Sequence, residues 1–85
     1  MLVLIMDEGY ILSNKYRRAI FDSLALGETN LKMIIKKHRI IPRVAEKIID
    51  DFISGGIIEK KGLKYILTNE GKKLLFNFRK MGRNK

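Results

Sequence analysis

The sequence predicts a mainly helical α+β domain in which three helices are followed by a two-stranded ribbon and a last helix. Its 85 residues suffice for one hydrophobic core, and 46% of them are hydrophobic, a fraction that argues against global disorder. Three segments with helical periodicity each follow a capping residue or begin at a proline. The run 55–71, which contains four glycines, then separates the third of these segments from a fourth by two short β-like stretches.

The first three helices are predicted from their opening residues and their apolar faces. Ser13 is expected to cap the first helix, which stops at Gly27. Thr29 or Asn30 can cap a short second helix, and Pro42 opens the third, where its missing N–H costs nothing. The residues expected to face the core are Tyr16, Ala19, Ile20, Leu24, Leu31, Ile34, Ile35, Ala45, Ile48, Ile49 and Phe52.

The ribbon follows Gly55 and Gly56, which stand where a left-handed cap would end the third helix. Two strands are predicted at 57–60 and 63–67, around a turn at 61–62 that contains a glycine. A last helix follows this ribbon. The residue expected to cap it is Thr68, and those expected to face the core are Leu74, Leu75 and Phe78.

The chain begins with an apolar segment, Met1–Met6, that is much shorter than the roughly 20 residues of a membrane span. We read Leu2–Met6 as a strand, which could turn at 7–9 into a second strand at 10–12. No association with a membrane is expected. The predicted organisation is an N-terminal strand or hairpin at 1–12, a folded domain at 13–80 and a basic flexible tail at 81–85.

The order of these elements is that of a winged helix-turn-helix, and some residues resemble a known family. Residues 31–59 resemble the helix-turn-helix of prokaryotic winged-helix transcription regulators. There a proline opens the recognition helix, a bulky apolar residue follows about ten positions later, and a glycine precedes two apolar residues and an acid. Pro42, Phe52 and 56–59 match these points. The segment 65–75, YILTNEGKKLL, looks like the strand-to-helix segment of the multiple-antibiotic-resistance and related repressors.

The charge of the chain also favours a polyanionic partner. There are 18 Lys+Arg against 9 Asp+Glu, so the formal net charge is +9. Nucleic acid is the first candidate partner and an anionic membrane surface the second. The wing, as we call the predicted ribbon, carries three lysines near its turn, although a solvated hairpin tip would look the same. The expected cations on the wing and the second helix are Lys60, Lys61, Lys64, Lys36, Lys37 and Arg39.

The resemblance implies that the third helix enters the major groove of double-stranded DNA. Arg43 would then read guanine, and Val44 would touch a thymine methyl group. Glu46 would accept from cytosine, and Lys47 would reach a phosphate or a purine, although both could equally be ordinary exposed residues. The same helix also carries Asp50 and Asp51, which must face away from phosphate or pair with a cation. The balance of charge favours a binder that contacts mainly the DNA backbone.

Catalysis finds little support in the sequence. His38 is the only histidine and lies in a basic run, and there is no cysteine. Asp50 and Asp51 are adjacent on a helix, so their side chains point about 100° apart and cannot clamp one ion. Nothing resembles a phosphate-binding loop or a dinucleotide fingerprint. We therefore expect neither an enzyme nor a metal or cofactor site.

The sequence thus predicts a cytoplasmic DNA-binding protein, in particular a transcription regulator. Two alternatives stay open: a winged-helix module that docks a protein of the transcription or replication machinery, and an RNA binder. No small-molecule effector is expected, because 85 residues leave little room for a ligand domain. A homodimer is expected, because one recognition helix covers only a few base pairs. The residues predicted for its interface are Leu2, Leu4, Leu74, Phe76 and Phe78.

Overall fold

The structure, a computed structural model, describes residues 7–81. This part of the chain forms five helices and two strands. They are α1 (Glu8–Leu12), α2 (Lys15–Ala25), α3 (Leu31–His38), α4 (Pro42–Ser54), β1 (Ile58–Lys61), β2 (Lys64–Leu67) and α5 (Asn69–Met81). The predicted class and the predicted order of helices and ribbon are confirmed. No helix within residues 7–81 is long and apolar enough to cross a membrane.

Helix α1 replaces the second strand of the predicted N-terminal hairpin. The side chain of Asp7 accepts a hydrogen bond from the backbone N–H of Tyr10 at 2.9 Å, and Glu8 lies in the first turn. The acidic pair that suggested a hairpin turn is therefore the start of a helix. Ile11 is fully buried within this helix, so the prediction of a second strand at 10–12 is wrong. The strand predicted at Leu2–Met6 lies outside the described residues.

The caps of α2 and α3 are asparagines. The side-chain oxygen of Asn14 accepts from the backbone N–H groups of Tyr16 and Arg17 at 2.8 and 3.1 Å. The cap of α2 is therefore Asn14 rather than Ser13, which ends α1 instead. Asn30 caps α3 by accepting from the N–H of Met33 at 3.2 Å. In both cases the amide oxygen satisfies N–H groups that have no partner inside the helix.

The wing is a hairpin whose turn lies one residue later than predicted. Lys61 pairs with Lys64, which leaves Gly62 and Leu63 as a two-residue turn. Gly62 has a φ of 63°, and a positive φ at the first central residue is typical of a type II′ hairpin turn. At the base of the wing, the left-handed residue that follows α4 is Gly56, with a φ of 79°.

A single core holds these elements together. Ile20 and Phe21 of α2 lie at its centre, and α4 contributes Ala45, Ile48, Ile49 and Phe52. Thr68 fixes the base of the wing, because its hydroxyl donates to the carbonyl of Gly56 and accepts from the N–H of Gly71. On the outer side of β2, the N–H of Tyr65 donates to the carbonyl of Thr29 at 3.1 Å. The wing is thereby attached both to α5 and to the connection that precedes α3.

Candidate nucleic-acid interface

The outer face of α4 presents the side chains that the sequence assigned to base reading. The buried residues of α4 lie at helical spacing on one face, so Arg43, Lys47 and Asp50 occupy the opposite, exposed face. Glu46 is exposed on the flank towards the wing, and Val44 is half-buried on the other flank, towards α2. Two cations and two acids therefore share the exposed surface of this helix.

Asp51 is held by two neighbours rather than presented to solvent. The ammonium group of Lys47 donates to its Oδ1 at 2.8 Å, and the hydroxyl of Tyr10 donates to its Oδ2 at 3.5 Å. The hydrogen bond to Asp51 raises the pKa of Lys47, and burial raises the pKa of Tyr10. Asp51 thus pairs with a cation, as the sequence required, whereas Asp50 stays on the exposed face.

Arg17 of α2 extends this surface, although it is not among the contact residues predicted from the sequence. Its guanidinium donates to the carbonyl of Tyr10 and to the hydroxyl of Ser13, both at 3.0 Å. It also lies over the Tyr10 ring, 4.0 Å from the centroid, a cation–π distance. Arg17 lines one groove together with Arg43 and Lys47. The spacing of four residues between Ser13 and Arg17 could have suggested the contact with the Ser13 hydroxyl.

The wing concentrates positive charge at its tip. Lys61 and Lys64 stand directly opposite each other in the strand register, and Lys60 is paired with Tyr65 on the other face of the ribbon. The Lys60 ammonium lies 5.8 Å from the centre of the Tyr65 ring. Like charges directly opposite each other destabilise a hairpin. The side chain between them, Leu63, is 89% exposed.

The cations of α3 differ in the contacts that they make with the rest of the domain. The ammonium of Lys37 donates to the Glu28 carboxylate at 3.2 Å, a contact that lowers the pKa of Glu28. Lys36 is exposed on the outer face. Arg39 ends α3 with a φ of 53°, in the left-handed region that costs an L-residue energy. The structure therefore brings the α3 cations to the surface, with part of their charge neutralised at Lys37.

His38 is exposed, yet its Nε2 lies 3.0 Å from the hydroxyl of Ser23, which is buried. This contact connects the end of α3 to α2. No group of three or more His, Asp or Glu side chains is arranged to hold a metal ion among residues 7–81.

The residues predicted for a dimer interface do not form one surface. Leu74 is buried in the core, and the ring of Phe78 packs against that of Phe21 with their centroids 5.3 Å apart. Placing Leu74 at an interface with another chain was therefore wrong, because its own domain covers it. Phe78 is only half-buried, so its place at an interface stays a prediction. Phe76 does lie on the outer face of α5 and is 63% exposed. Leu2 and Leu4 fall outside the described residues.

A comparison with protein families agrees with the fold. A family model described as winged helix-turn-helix matches residues 17–85, from the third residue of α2 onwards. Comparisons with curated proteins and with solved structures found no match. The matched region includes α3, α4 and the wing, and so contains every predicted nucleic-acid contact.

Proposed function

Because the chain belongs to the winged helix-turn-helix family, we propose that it binds double-stranded DNA as a transcription regulator. In this proposal helix 42–54 lies in the major groove, and the tip of the wing, residues 60–64, contacts the phosphate backbone. The protein acts without a catalytic step and without a small-molecule effector, and we place it in the cytoplasm. Its closer likeness to the multiple-antibiotic-resistance repressors stays a hypothesis.

The observation that carries the proposal is the lysine pair at the tip of the wing. Lys61 and Lys64 repel each other across the hairpin, and the turn between them contains no acid that could offset their charges. Phosphates on a DNA strand would neutralise both at once and release the counterions condensed on the DNA. The formal net charge of +9 supports the same class of partner.

Helix α4 is proposed to contribute less free energy to DNA binding than the wing. Arg43 would read guanine, Val44 a thymine methyl group and Glu46 cytosine. Lys47, which forms an ion pair with Asp51, would contact a nearby phosphate or purine. Because Asp50 shares the exposed face with Arg43, the helix has little net attraction for phosphate. Binding is therefore proposed to be dominated by the backbone, with a modest preference for sequence.

DNA binding is tested by measuring the affinity for a duplex of random sequence at a series of salt concentrations. Fluorescence anisotropy reports the binding at each concentration. With about four to six phosphate contacts per protomer, log K against log salt concentration should have a slope of roughly −4 to −5. Replacing both Lys61 and Lys64 by alanine should make this slope less steep by about 2. The matched control is Lys73→Ala on α5, which should leave the slope unchanged.

The absence of binding at low salt would contradict the proposal and favour the protein-interaction module. Tighter binding to single-stranded or hairpin RNA than to duplex DNA would favour the RNA binder instead.

We also propose that the protein is a homodimer. Phe76 supplies an apolar anchor on the outer face of α5, where Lys80 lies 5.7 Å from its ring. Leu2 and Leu4 remain the proposed second part of this interface. A dimer would present two recognition helices and thereby double the length of the DNA site.

A further inference from the structure

The side chain at the apex of the wing is a leucine with almost no contact to its own domain. Leu63 is 89% exposed, more than any other large apolar side chain described. The hairpin turn requires a positive φ only at Gly62, and nothing in its geometry requires an apolar residue at the next position. Removing an exposed leucine side chain from water is favourable. A partner that buried Leu63 would therefore gain binding free energy from it.

The charges around Leu63 indicate which partner this contact fits. Lys61 and Lys64 extend on one face of the ribbon and Lys60 on the other, so cations flank the leucine on both sides. The minor groove of B-DNA is about 6 Å wide and has a phosphate strand along each edge. A two-residue turn is narrow enough to enter it, and the lysines would then reach the phosphates on either side. A protein partner would instead need acidic groups placed around an apolar pocket.

We propose that Leu63 enters the minor groove and wedges between two stacked base pairs, so that the wing selects DNA by its deformability. This inference rests on the proposed DNA binding and adds a specificity residue to it. Apolar wedges of this kind partly unstack a base step and bend the duplex towards the major groove. Pyrimidine–purine steps such as TA unstack most easily, whereas A-tracts are stiff. The preferred ligand is therefore a duplex with a flexible step under the wing.

The test compares two duplexes of equal length, one with a central TA step and one with an A-tract. 2-Aminopurine replaces the adenine of the TA step, and a dye pair at the ends reports bending by energy transfer. The wild-type protein should increase the 2-aminopurine fluorescence and the transfer efficiency of the TA duplex. Leu63→Ala should abolish both changes and weaken binding to this duplex about 5- to 10-fold, but weaken binding to the A-tract less than about 2-fold.

Two control variants make the result specific. Leu26→Ala removes another exposed leucine, 76% exposed at the end of α2, and should change neither signal. Leu63→Met keeps an apolar side chain that can wedge and should retain the fluorescence increase. Since Leu63 packs against almost nothing, its variants should fold, which circular dichroism would verify.

The possible results separate this inference from the proposed function. Failure of the wild-type protein to bind either duplex would overturn both. Tight binding without a fluorescence change, or equal losses on the two duplexes for Leu63→Ala, would overturn the wedge and leave DNA binding intact. Binding of the TA duplex that is unaffected by Leu63→Ala would also overturn it and assign the apex to another partner class.

Discussion

Arg39 places a positive charge at a backbone position that is strained for any residue other than glycine. It adopts a left-handed conformation at the end of α3, where its N–H bonds to the carbonyl groups of Ile35 and Lys36. Glycine adopts this conformation without steric cost and is the residue usually found there. An arginine at this position places a cation in the turn between α3 and α4, next to the proposed DNA surface. Strain kept at a surface residue in this way is consistent with a role in binding.

We expect Arg39→Gly to raise the free energy of unfolding by about 0.5–1 kcal/mol, because the left-handed strain disappears. The same change should weaken DNA binding and make the salt slope less steep by about 1, because one phosphate contact is lost. Urea denaturation and anisotropy measure the two effects. The matched control, Arg39→Ala, removes the charge but keeps the strain. Stabilisation by alanine equal to that by glycine would contradict the explanation by backbone strain.

A second residue-scale prediction separates base reading from backbone contact. Arg43→Ala should weaken binding to a preferred site by about 1–3 kcal/mol more than binding to random DNA, because a guanine contact is lost. Lys61→Ala should weaken both equally, because phosphates carry no sequence information. The preferred site would come from selection on a random oligonucleotide pool. If Arg43→Ala has the same effect on both DNAs, α4 has no base-reading role at this position.

At the scale of elements, the sequence predicted the existence of helices better than their ends. Periodicity identified the inward faces of α2, α3 and α4, because burial repeats with the helical turn. Ser13 and Asn14 are both good caps, and only the path of the chain decides between them. Helix α1 was missed, because five residues are too short to show a period and Asp-Glu-Gly also suits a hairpin turn.

The junction between the wing and α5 depends on a glycine, because there is no room for a side chain at this position. A Cβ atom on Gly71 would lie 2.2 Å from the carbonyl oxygen of Ile57. Gly71→Ala should therefore lower the free energy of unfolding by about 1–3 kcal/mol, because α5 must move away from the wing. Gly9→Ala is the matched control. Its Cβ would make an ordinary contact at 3.5 Å, and the change should stabilise α1 by up to about 1 kcal/mol.

Thermal and urea denaturation of the two glycine variants measure the difference. Opposite signs are expected. A Gly71→Ala protein as stable as the unmodified one would show that α5 can shift without cost, and would contradict a rigid junction between α5 and the wing.

For the whole molecule, the sequence located the candidate surface but not the contacts within it. Exposed cations on α3, α4 and the wing follow from periodicity and turn position. The contacts of Arg17 and Asp51 with Tyr10 could not be predicted, because both depend on the packing of α1, whose helix was not foreseen. The contact with Asp51 also joins residues that are 41 positions apart. The same limit explains why Leu74 was misplaced at an interface. An apolar residue can belong to a core or to an interface, and only the fold shows that Leu74 belongs to the core.

Assembly is the prediction that belongs to the whole molecule. Sedimentation equilibrium at micromolar concentration should give the mass of a dimer, and Phe76→Glu should shift it to a monomer, because a charge would replace the apolar anchor. The variant should keep its fold, since Phe76 is exposed. A protein that stays monomeric even on DNA would contradict the dimer. A dimer unaffected by Phe76→Glu would place the interface elsewhere.

The hydrogen bond from Tyr65 to Thr29 also determines where another β-strand could join the ribbon. It occupies the outer side of β2 at Tyr65, so within residues 7–81 β1 is the edge open to pairing with another chain. That edge is four residues long and carries Glu59, Lys60 and Lys61. Short, charged edges discourage strand addition, and lysines are particularly effective. The charges that suit the wing to a polyanion therefore also protect it from edge-to-edge aggregation.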